Sequence, residues 1–480
     1  MGTIKTSDIN LSNKDFGYIE VSREYSGGDG TGRQITYRYR GSKDALRNAS
    51  VSWVLAGGKY QITENGPYSD ATVIYSGTNF DTNNPTSPPP ADEEEPSTRY
   101  EFRTEYVDSS LFELPTVRAE AKRYTQTISG KTEADYFQDP KYGRSTYDHY
   151  ADGEGVCYTS WLRPILNMRP KWRSSAIGTT WQFPRDLSAT AWMEHEGYDF
   201  EIATDHDLMR EGLDWLKNYS VIITGSHPEY WDEFGLNVLE EYISTGGRLM
   251  YMGGNGFYWV ISYRDGEPEI MEVRKGEAGM RAWQAEPGEY YHATSAERGG
   301  IWRNRGRAPQ KLTGVGFTTQ GFDACHPYFR MPDSYHKSVS WIFDGVEGEK
   351  FGDHGLALGG AAGLETERYD LLLGTPPHTK LLGSSTNWSD NYPGVHEDIM
   401  FHHPGLLGTQ NPAVRADMTY FTAGNNGAVF STGSIAWTSA LPSFGYENDV
   451  SRITKNILDA FSKPGELPGG AWTEDEKSWR

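Results

Sequence analysis

The chain has 480 residues, 36% of them hydrophobic and 13% aromatic, enough apolar material for roughly two to four domains and too much for a disordered chain. With 66 acidic against 45 basic side chains its net charge is −21, which disfavours nucleic acid and anionic membrane surfaces as partners. Two cysteines, Cys157 and Cys325, are too few for a disulfide framework and fit a reducing, cytoplasmic setting. No stretch approaches the ~18 apolar residues of a membrane span, and MGTIKTSDINLSNKDF at the start has no apolar secretory core.

Residues 1–82 are expected to form a small all-β domain. Ile35, Tyr37 and Tyr39 alternate with polar residues, residues 51–55 and 72–75 are further strand candidates, and glycine-rich and Asn65-Gly66-Pro67 turns separate them. Residues 83–97, NNPTSPPPADEEEPS, have the composition of a stiff proline-rich, acidic linker that buries no core. Residues 98–140 are a connecting segment of ambiguous pattern; a helix over 113–124 would accept Pro115 only in its first turn. From 141 to 465 the pattern is α/β, and residues 466–480 form a loosely held tail.

Within the α/β region a strand is expected at 200–204. Asp205-His206-Asp207 then caps a helix with Leu208, Gly212, Leu213 and Leu216 on one face. Residues 221–255 carry the clearest pattern. An apolar run at 221–224 meets Gly225-Ser226-His227-Pro228-Glu229. An amphipathic helix follows, with Trp231, Phe234, Val238, Leu239 and Tyr242 on its apolar side, and Gly246-Gly247 stops it. A second apolar run at 249–252 ends in Gly253-Gly254-Asn255. This spacing predicts parallel strands near 200–204, 221–224 and 248–252. Residues 260–360 are expected to be a largely β insertion, 418–422 and 428–434 returning strands, and 450–461 a closing helix.

Ligands bind at the carboxyl edge of an open α/β sheet. The pattern puts His227 and Glu229 after one strand and Asn255 after the next. At a helix N-terminus Glu229 would be favoured as a carboxylate, although an acidic residue after a first-turn Pro228 is also an ordinary helix start. Asn255 suits either a left-handed turn or an amide that holds a carbonyl. Ser226 lacks the G-x-S-x-G setting of a nucleophile elbow. The run at 142–158, YGRSTYDHYADGEGVCY, is dense in phenols and carboxylates, hard donors suited to a hard cation, though aromatic crowding is more often packing. His396, Glu397, His402 and His403 match no zinc spacing. Cys157 and Cys325 are either nucleophiles or inert buried thiols. Glu365 follows the glycine-rich residues 359–363, which let backbone approach a site closely.

Five segments, in order, resemble the family of N,N-dimethylformamidase large (beta) subunits: YGRSTYDHYADGEGVCYTSWLRPILNMRP (142–170), GSHPEYW (225–231), MGGNGFYW (252–259), GLETERYDLLLGTPPHT (363–379) and GAVFSTGSIAW (427–437). The resemblance spans residues 140–465 and does not extend to the first 140 residues. It implies a class I glutamine-amidotransferase-like (flavodoxin-like) parallel-sheet domain with β-rich insertions, lacking that fold's cysteine. It also implies a mononuclear ferric iron held by two tyrosines and a glutamate. Glu229 of HPEYW stands at the glutamate ligand, Tyr147 of GRSTYDHY at the second tyrosine, and Tyr106 lies at the spacing of the first. His227, Asn255 and Glu365 match residues of substrate handling and acid/base work.

The expectation is an iron-dependent hydrolase of small linear amides, giving formate and dimethylamine from N,N-dimethylformamide, with the metal as Lewis acid or water activator. Phe257, Tyr258 and Trp259 would shape a small apolar pocket. A small partner subunit and a homo-oligomer are suggested, with no nucleic acid or membrane partner. The alternative is a non-catalytic binding or structural module on the same scaffold. A cysteine amidase using Cys157 is a third reading.

Overall fold

The computed structural model describes the backbone of eight strands before residue 133 and, within 145–468, all residues except 148–149, 151–153, 164, 166, 171, 175–178, 265, 276–286, 396–404 and 406. The linker at 83–97, Tyr106, the cluster of His396, Glu397, His402 and His403, and residues 469–480 of the tail therefore lie outside the described residues. Two compact units divide the chain: residues 1–142 with 174–178, and residues 143–173 with 179–480.

In the first unit the described elements are antiparallel strand pairs. β1 (Gly2–Lys5) pairs with β4 (Ser50–Trp53), β2 (Phe16–Ser26) with β3 (Gly32–Ser42), β5 (Gly57–Asn65) with β6 (Asp70–Thr78), and β7 (Thr127–Ile128) with β8 (Lys131–Thr132). The alternating Ile35, Tyr37 and Tyr39 fall in β3. There Tyr37 stands opposite Val21 and Tyr39 opposite Ile19.

The second unit is built on a seven-stranded mixed sheet. Its order is β10 (Val221–Ile223), β12 (Arg248–Tyr251), β21 (Ala428–Ser431), β20 (Ala416–Thr422), β19 (Lys380–Ser385), β16 (Tyr328–Arg330) and β17 (Lys350–Phe351). The first three strands are parallel, and every later pairing is antiparallel. A four-stranded sheet joins β11 (Tyr230–Trp231), β13 (Trp259–Arg264), β14 (Glu267–Val273) and β9 (Tyr158–Ser160), and β15 (Gly316–His326) pairs with β18 (Ala362–Arg368).

Successive residues of the central strands enter two different cores, because side chains alternate across a strand. Met250, Phe430, Met418 and Tyr420 pack with Trp192 and Met193 of α1 (Phe183–Glu196) and with Val450, Ile453, Ile457 and Phe461 of the closing helix. Leu249, Tyr251, Val429 and Phe421 pack instead with Leu208 and Leu216 of α2 (Asp205–Leu216) and with Leu236, Val238, Leu239 and Ile243 of α3 (Glu233–Ser244). Helices thus cover both faces, which is why β12 and β21 are buried along their whole length. No helix among the described residues is long and apolar enough to cross a membrane.

Two expectations need correction. Residues 200–204 form no strand. The Thr204 side chain accepts from the Asp207 amide while the Asp207 carboxylate takes the Thr204 amide, so this backbone serves a capping box and not a ladder. The third parallel strand is β21, more than 170 residues beyond β12 in the chain. The helix after β10 also starts later than its apolar pattern suggests. Asp232 is its N-cap, accepting from the Gly235 amide at 2.8 Å, so Trp231 belongs to β11.

The C-terminal end of the last helix, α4 (Asp449–Phe461), is also tied to the sheet by polar contacts. Arg248, at the start of β12 and 5% exposed, donates through Nη1 to the carbonyls of Ala460, Phe461 and Lys463 at 3.1, 2.8 and 2.7 Å, and through Nη2 to Gly465 at 2.6 Å. The carbonyls of a helix's last turn have no partner within the helix, and a cation there also meets the negative end of its dipole. Arg248→Met removes these hydrogen bonds, two of which go to the buried carbonyls of Ala460 and Phe461. It should lower stability by roughly 2–4 kcal/mol, seen as a lower urea midpoint with an unchanged m value.

Candidate active site

The site forms where β10 and β12 end. Their exit loops, residues 224–229 and 252–258, are hydrogen-bonded to each other through the backbone. Gly254 donates to Ser226 O at 3.2 Å, Phe257 to Pro228 O at 2.8 Å, and both Tyr258 and Trp259 to Glu229 O at 3.0 Å. Gly254 must be glycine because a Cβ there would lie 2.7 Å from the Glu365 carbonyl of β18. Glu229 and Pro228 precede the N-cap of α3, so neither stands in its first turn as the sequence suggests. The Glu229 carboxylate is held instead by the Trp259 indole, Nε1 to Oε1 at 2.9 Å.

Five of the expected site residues meet here: Tyr147, His227, Glu229, Asn255 and Glu365. His227 Nε2 lies 2.9 Å from Glu365 Oε2, 3.5 Å from Glu229 Oε2 and 3.3 Å from the Asn255 amide nitrogen. On the other side, Tyr147 Oη donates to Glu229 Oε1 at 3.4 Å. Tyr230 Oη donates to Tyr147 Oη at 3.1 Å, and Lys275 Nζ donates to Tyr230 Oη at 3.1 Å. The result is a continuous Lys275–Tyr230–Tyr147–Glu229 hydrogen-bond chain. Lys275 Nζ also stands 3.1 Å from the centroid of the Tyr147 ring. Glu229, Glu365 and Asn255 are all buried, Asn255 to 1% exposure.

Burial by itself pushes the His227 imidazole down, but the Glu365 and Glu229 carboxylates outweigh it and raise its pKa to about 9. The two carboxylates thus favour the protonated imidazole. Asn255 has a φ of 50°, the left-handed turn conformation, and it also approaches His227, so its two readings hold together. An imidazolium donates at Nε2. Rotating the Asn255 amide by half a turn replaces a donor–donor contact by an acceptor and frees its NH2 for a carbonyl. The same rotation relieves Oδ1, which otherwise has no hydrogen-bond partner.

Tyr147 and Glu229 fit two ligand positions of one hard cation. They are oxygen donors 3.4 Å apart, a separation compatible with bonds of roughly 2 Å to a shared ion. Tyr106, the other expected tyrosine, lies outside the described residues.

Several site residues escape the sequence pattern. Lys275, 1% exposed, carries no local motif. Asp186 of α1 accepts from the Ser226 amide at 2.7 Å and so steadies the loop that carries His227. Phe257, expected in a pocket wall, is core: its ring packs on Trp231 at 4.9 Å and on Tyr251 at 5.5 Å. The aromatic side chain beside His227 is Trp181, at 6.1 Å, which meets Phe322 at 5.7 Å. Glu367 lies fully buried two residues after Glu365 in β18, and strand alternation puts both on one face, a signal that was readable. Cys157 and Cys325 are free, and burial pushes their thiols up to about 11 and about 12. Thiolate is scarce in both at neutral pH, which disfavours a cysteine nucleophile.

Residues 71–451 match the family model described as N,N-dimethylformamidase beta subunit-like, C-terminal. The N,N-dimethylformamidase beta subunit of Paracoccus aminophilus is 49% identical over 328 residues, which cover 68% of this chain and 43% of that protein. The protein of the same name from an Alcaligenes species is 47% identical over the same shares. The chain thus spans less than half the length of the curated relatives it matches. Among solved structures, the mmIFT52 N-terminal domain aligns with 60% of this chain and 95% of its own at 10% identity and a TM-score of 0.24, too low to bear on the fold.

Glu367 offers a pH test of this buried region. Burial raises its carboxyl from 4.5 to about 8, against hydrogen bonds from Tyr251 and from the amides of Gly256 and Asn255. With the folded value above the unfolded one, its contribution to stability is fully present below about 4.5 and is lost as pH rises through about 8. Glu367→Gln should remove one proton's share of the fall in stability across that window, measured as urea midpoints at its two ends.

Proposed function

The chain belongs to the N,N-dimethylformamidase beta subunit-like family, and on that premise we propose that it carries the active site of a hydrolase for small linear amides. Its substrate would be N,N-dimethylformamide or a close analogue, split to formate and dimethylamine. The observation that supports this most is the buried His227–Glu365–Asn255 group set directly beside two hard oxygen donors, Tyr147 and Glu229, at the carboxyl ends of adjacent parallel strands.

Tyr147 and Glu229 would hold a mononuclear iron, which when bound supplies Lewis acidity towards an amide carbonyl or a water. The other roles belong to the chain's own groups. Trp259 Nε1 fixes the Glu229 carboxylate, and Lys275 holds the two phenols in place, donating to Tyr230 Oη and lying over the Tyr147 ring. The Asn255 NH2 orients the amide carbonyl. The His227 imidazolium stabilises negative charge developing on its oxygen, in a buried setting where such donors act most strongly. Glu365 takes a proton from the water whose oxygen bonds to the carbonyl carbon, and delivers that proton to the amine nitrogen as the C–N bond breaks. Trp181 and Phe322 provide apolar surface for the N-alkyl groups.

A class I glutamine-amidotransferase-like fold for the second unit is part of the same proposal; three parallel strands with helices on both faces are compatible with it, though the later strands pair antiparallel. The relatives' designation as beta subunits supports assembly with a second kind of subunit, and two free cysteines agree with a cytoplasmic setting.

Metal analysis and kinetics of the isolated protein, in whatever assembly it adopts, test the proposal. The wild type should contain iron and hydrolyse N,N-dimethylformamide. Glu229→Ala should lose the iron while keeping the fold by circular dichroism. Glu365→Gln should keep the iron and lower kcat by about 10²–10⁴, the range for loss of a general acid/base. An iron-loaded wild type without amidase activity would overturn the function, and undiminished kcat in Glu365→Gln would remove that residue from proton transfer.

A further inference from the structure

We propose that Glu367 is a positioning residue, whose carboxyl group braces the turn at residues 253–257 so that Asn255 stands beside His227. Glu367 is fully buried in β18. Its Oε1 accepts from Tyr251 Oη at 2.8 Å and from the Gly256 amide at 3.3 Å, and the same amide donates to Tyr251 Oη at 2.7 Å. Carboxyl, phenol and amide thus close a three-membered ring of hydrogen bonds around one backbone N–H.

That N–H lies between two residues of left-handed backbone. Asn255 has φ 50°, which its short amide tolerates, and Phe257 has φ 54°, which costs a bulky residue on the order of 1 kcal/mol or more and persists only where surroundings enforce it. Gly256 itself tolerates no side chain, since a Cβ would collide with Tyr251 Oη. The loop carrying His227 holds the turn on one side through Ser226 O and Pro228 O. Glu367 and Tyr251 hold it on the other.

The brace is itself anchored. The Glu367 amide donates to Gly433 O at 2.9 Å, and Glu367 stands opposite Phe317 in β15. Its second oxygen, Oε2, has no hydrogen-bond partner among the described residues. A neutral carboxyl bears that far more cheaply than a carboxylate, and burial raises Glu367 in the same direction, to about 8. A neutral amide side chain of the same shape should therefore serve in its place.

The kinetic part of this inference rests on the proposed amide hydrolysis; the structural part does not. Amide hydrogen exchange and kcat on N,N-dimethylformamide are measured for wild type, Glu367→Ala, Glu367→Gln, Asn255→Ala and the Asn255→Ala/Glu367→Ala double variant. Tyr251→Phe serves as a second disruption should Glu367→Ala fail to fold. Glu367→Ala and Tyr251→Phe should speed exchange at residues 253–258 by about tenfold or more, with α4 unchanged, whereas Glu367→Gln should exchange like wild type. Glu367→Ala should lower kcat about 10–100-fold, Glu367→Gln should restore it, and Glu367→Ala should cause no further fall once Asn255 is gone. Wild-type exchange in both Glu367→Ala and Tyr251→Phe, or kcat losses that multiply in the double variant, would overturn the proposal. Loosened exchange in a protein that hydrolyses no amide would keep the brace and discard the amidase function.

Discussion

The site depends on the backbone hydrogen bonds that join the exit loops of β10 and β12. Buried loops are rare because their peptide groups need partners. Here each loop supplies the other's: Ser226, Pro228 and Glu229 carbonyls accept from the amides of Gly254, Phe257, Tyr258 and Trp259. Glu229 and Asn255 therefore keep a fixed relation although they leave different strands. The glycines follow from the same closeness. A side chain at Gly253 would strike the Ser226 carbonyl, and one at Gly254 the Glu365 carbonyl, so any substitution pushes apart the loops that define the site.

Within that frame, Glu229 divides the chemistry in two. Its Oε1 is shared by the Trp259 indole and the Tyr147 phenol, while its Oε2 lies 3.5 Å from the His227 imidazolium. One oxygen thus belongs to the hard-donor half and the other to the proton-handling half. Both halves carry a buried cation: Lys275 against the phenols, His227 against Glu365. An isolated charge in such surroundings costs several kcal/mol, so opposite charges at these distances are what make the burial tolerable. The same pairing sets the direction of the His227 titration, where two carboxylates outweigh the effect of burial.

Local pattern revealed those parts of the fold that rest on neighbours in sequence. The strands at 221–223 and 248–251 and the helix between them follow from periodicity and the Gly246-Gly247 stop, and His227, Glu229 and Asn255 follow from where those strands end. The strand at 200–204 was misread because its apolar start looks like a strand, while the Thr204–Asp207 capping box that claims its backbone is a reciprocal pair, visible only as two residues three apart. Composition marks the phenol-rich run that holds Tyr147 and the glycines before Glu365, but only the family resemblance assigns the two residues a role, since nothing local ties them to the 221–255 unit. Lys275 was unreadable for a stronger reason. Its partners, Tyr147 and Tyr230, stand 128 and 45 residues before it, and no spacing rule links them.

The third parallel strand explains how such distant pieces are brought into register. β21 contributes no side chain to the site, yet its exit segment holds β18, the strand that carries Glu365 and Glu367. Gly433 O accepts from the Glu367 amide, the Ile435 amide donates to Glu365 O at 3.2 Å, and Thr366 bridges to Ser434. Arg185 of α1 reaches the same segment, donating to Ile435 O at 3.1 Å. The carboxyl ends of all three parallel strands thus serve one site: β10 supplies His227 and Glu229, β12 supplies Asn255, and β21 supplies the backbone that fixes Glu365 and Glu367. β18 lies outside the main sheet, so its alignment with the other two loops is set by these few hydrogen bonds and not by a continuous ladder. The geometry of the proton-handling half therefore also depends on residues 433–435, none of which carries a charge.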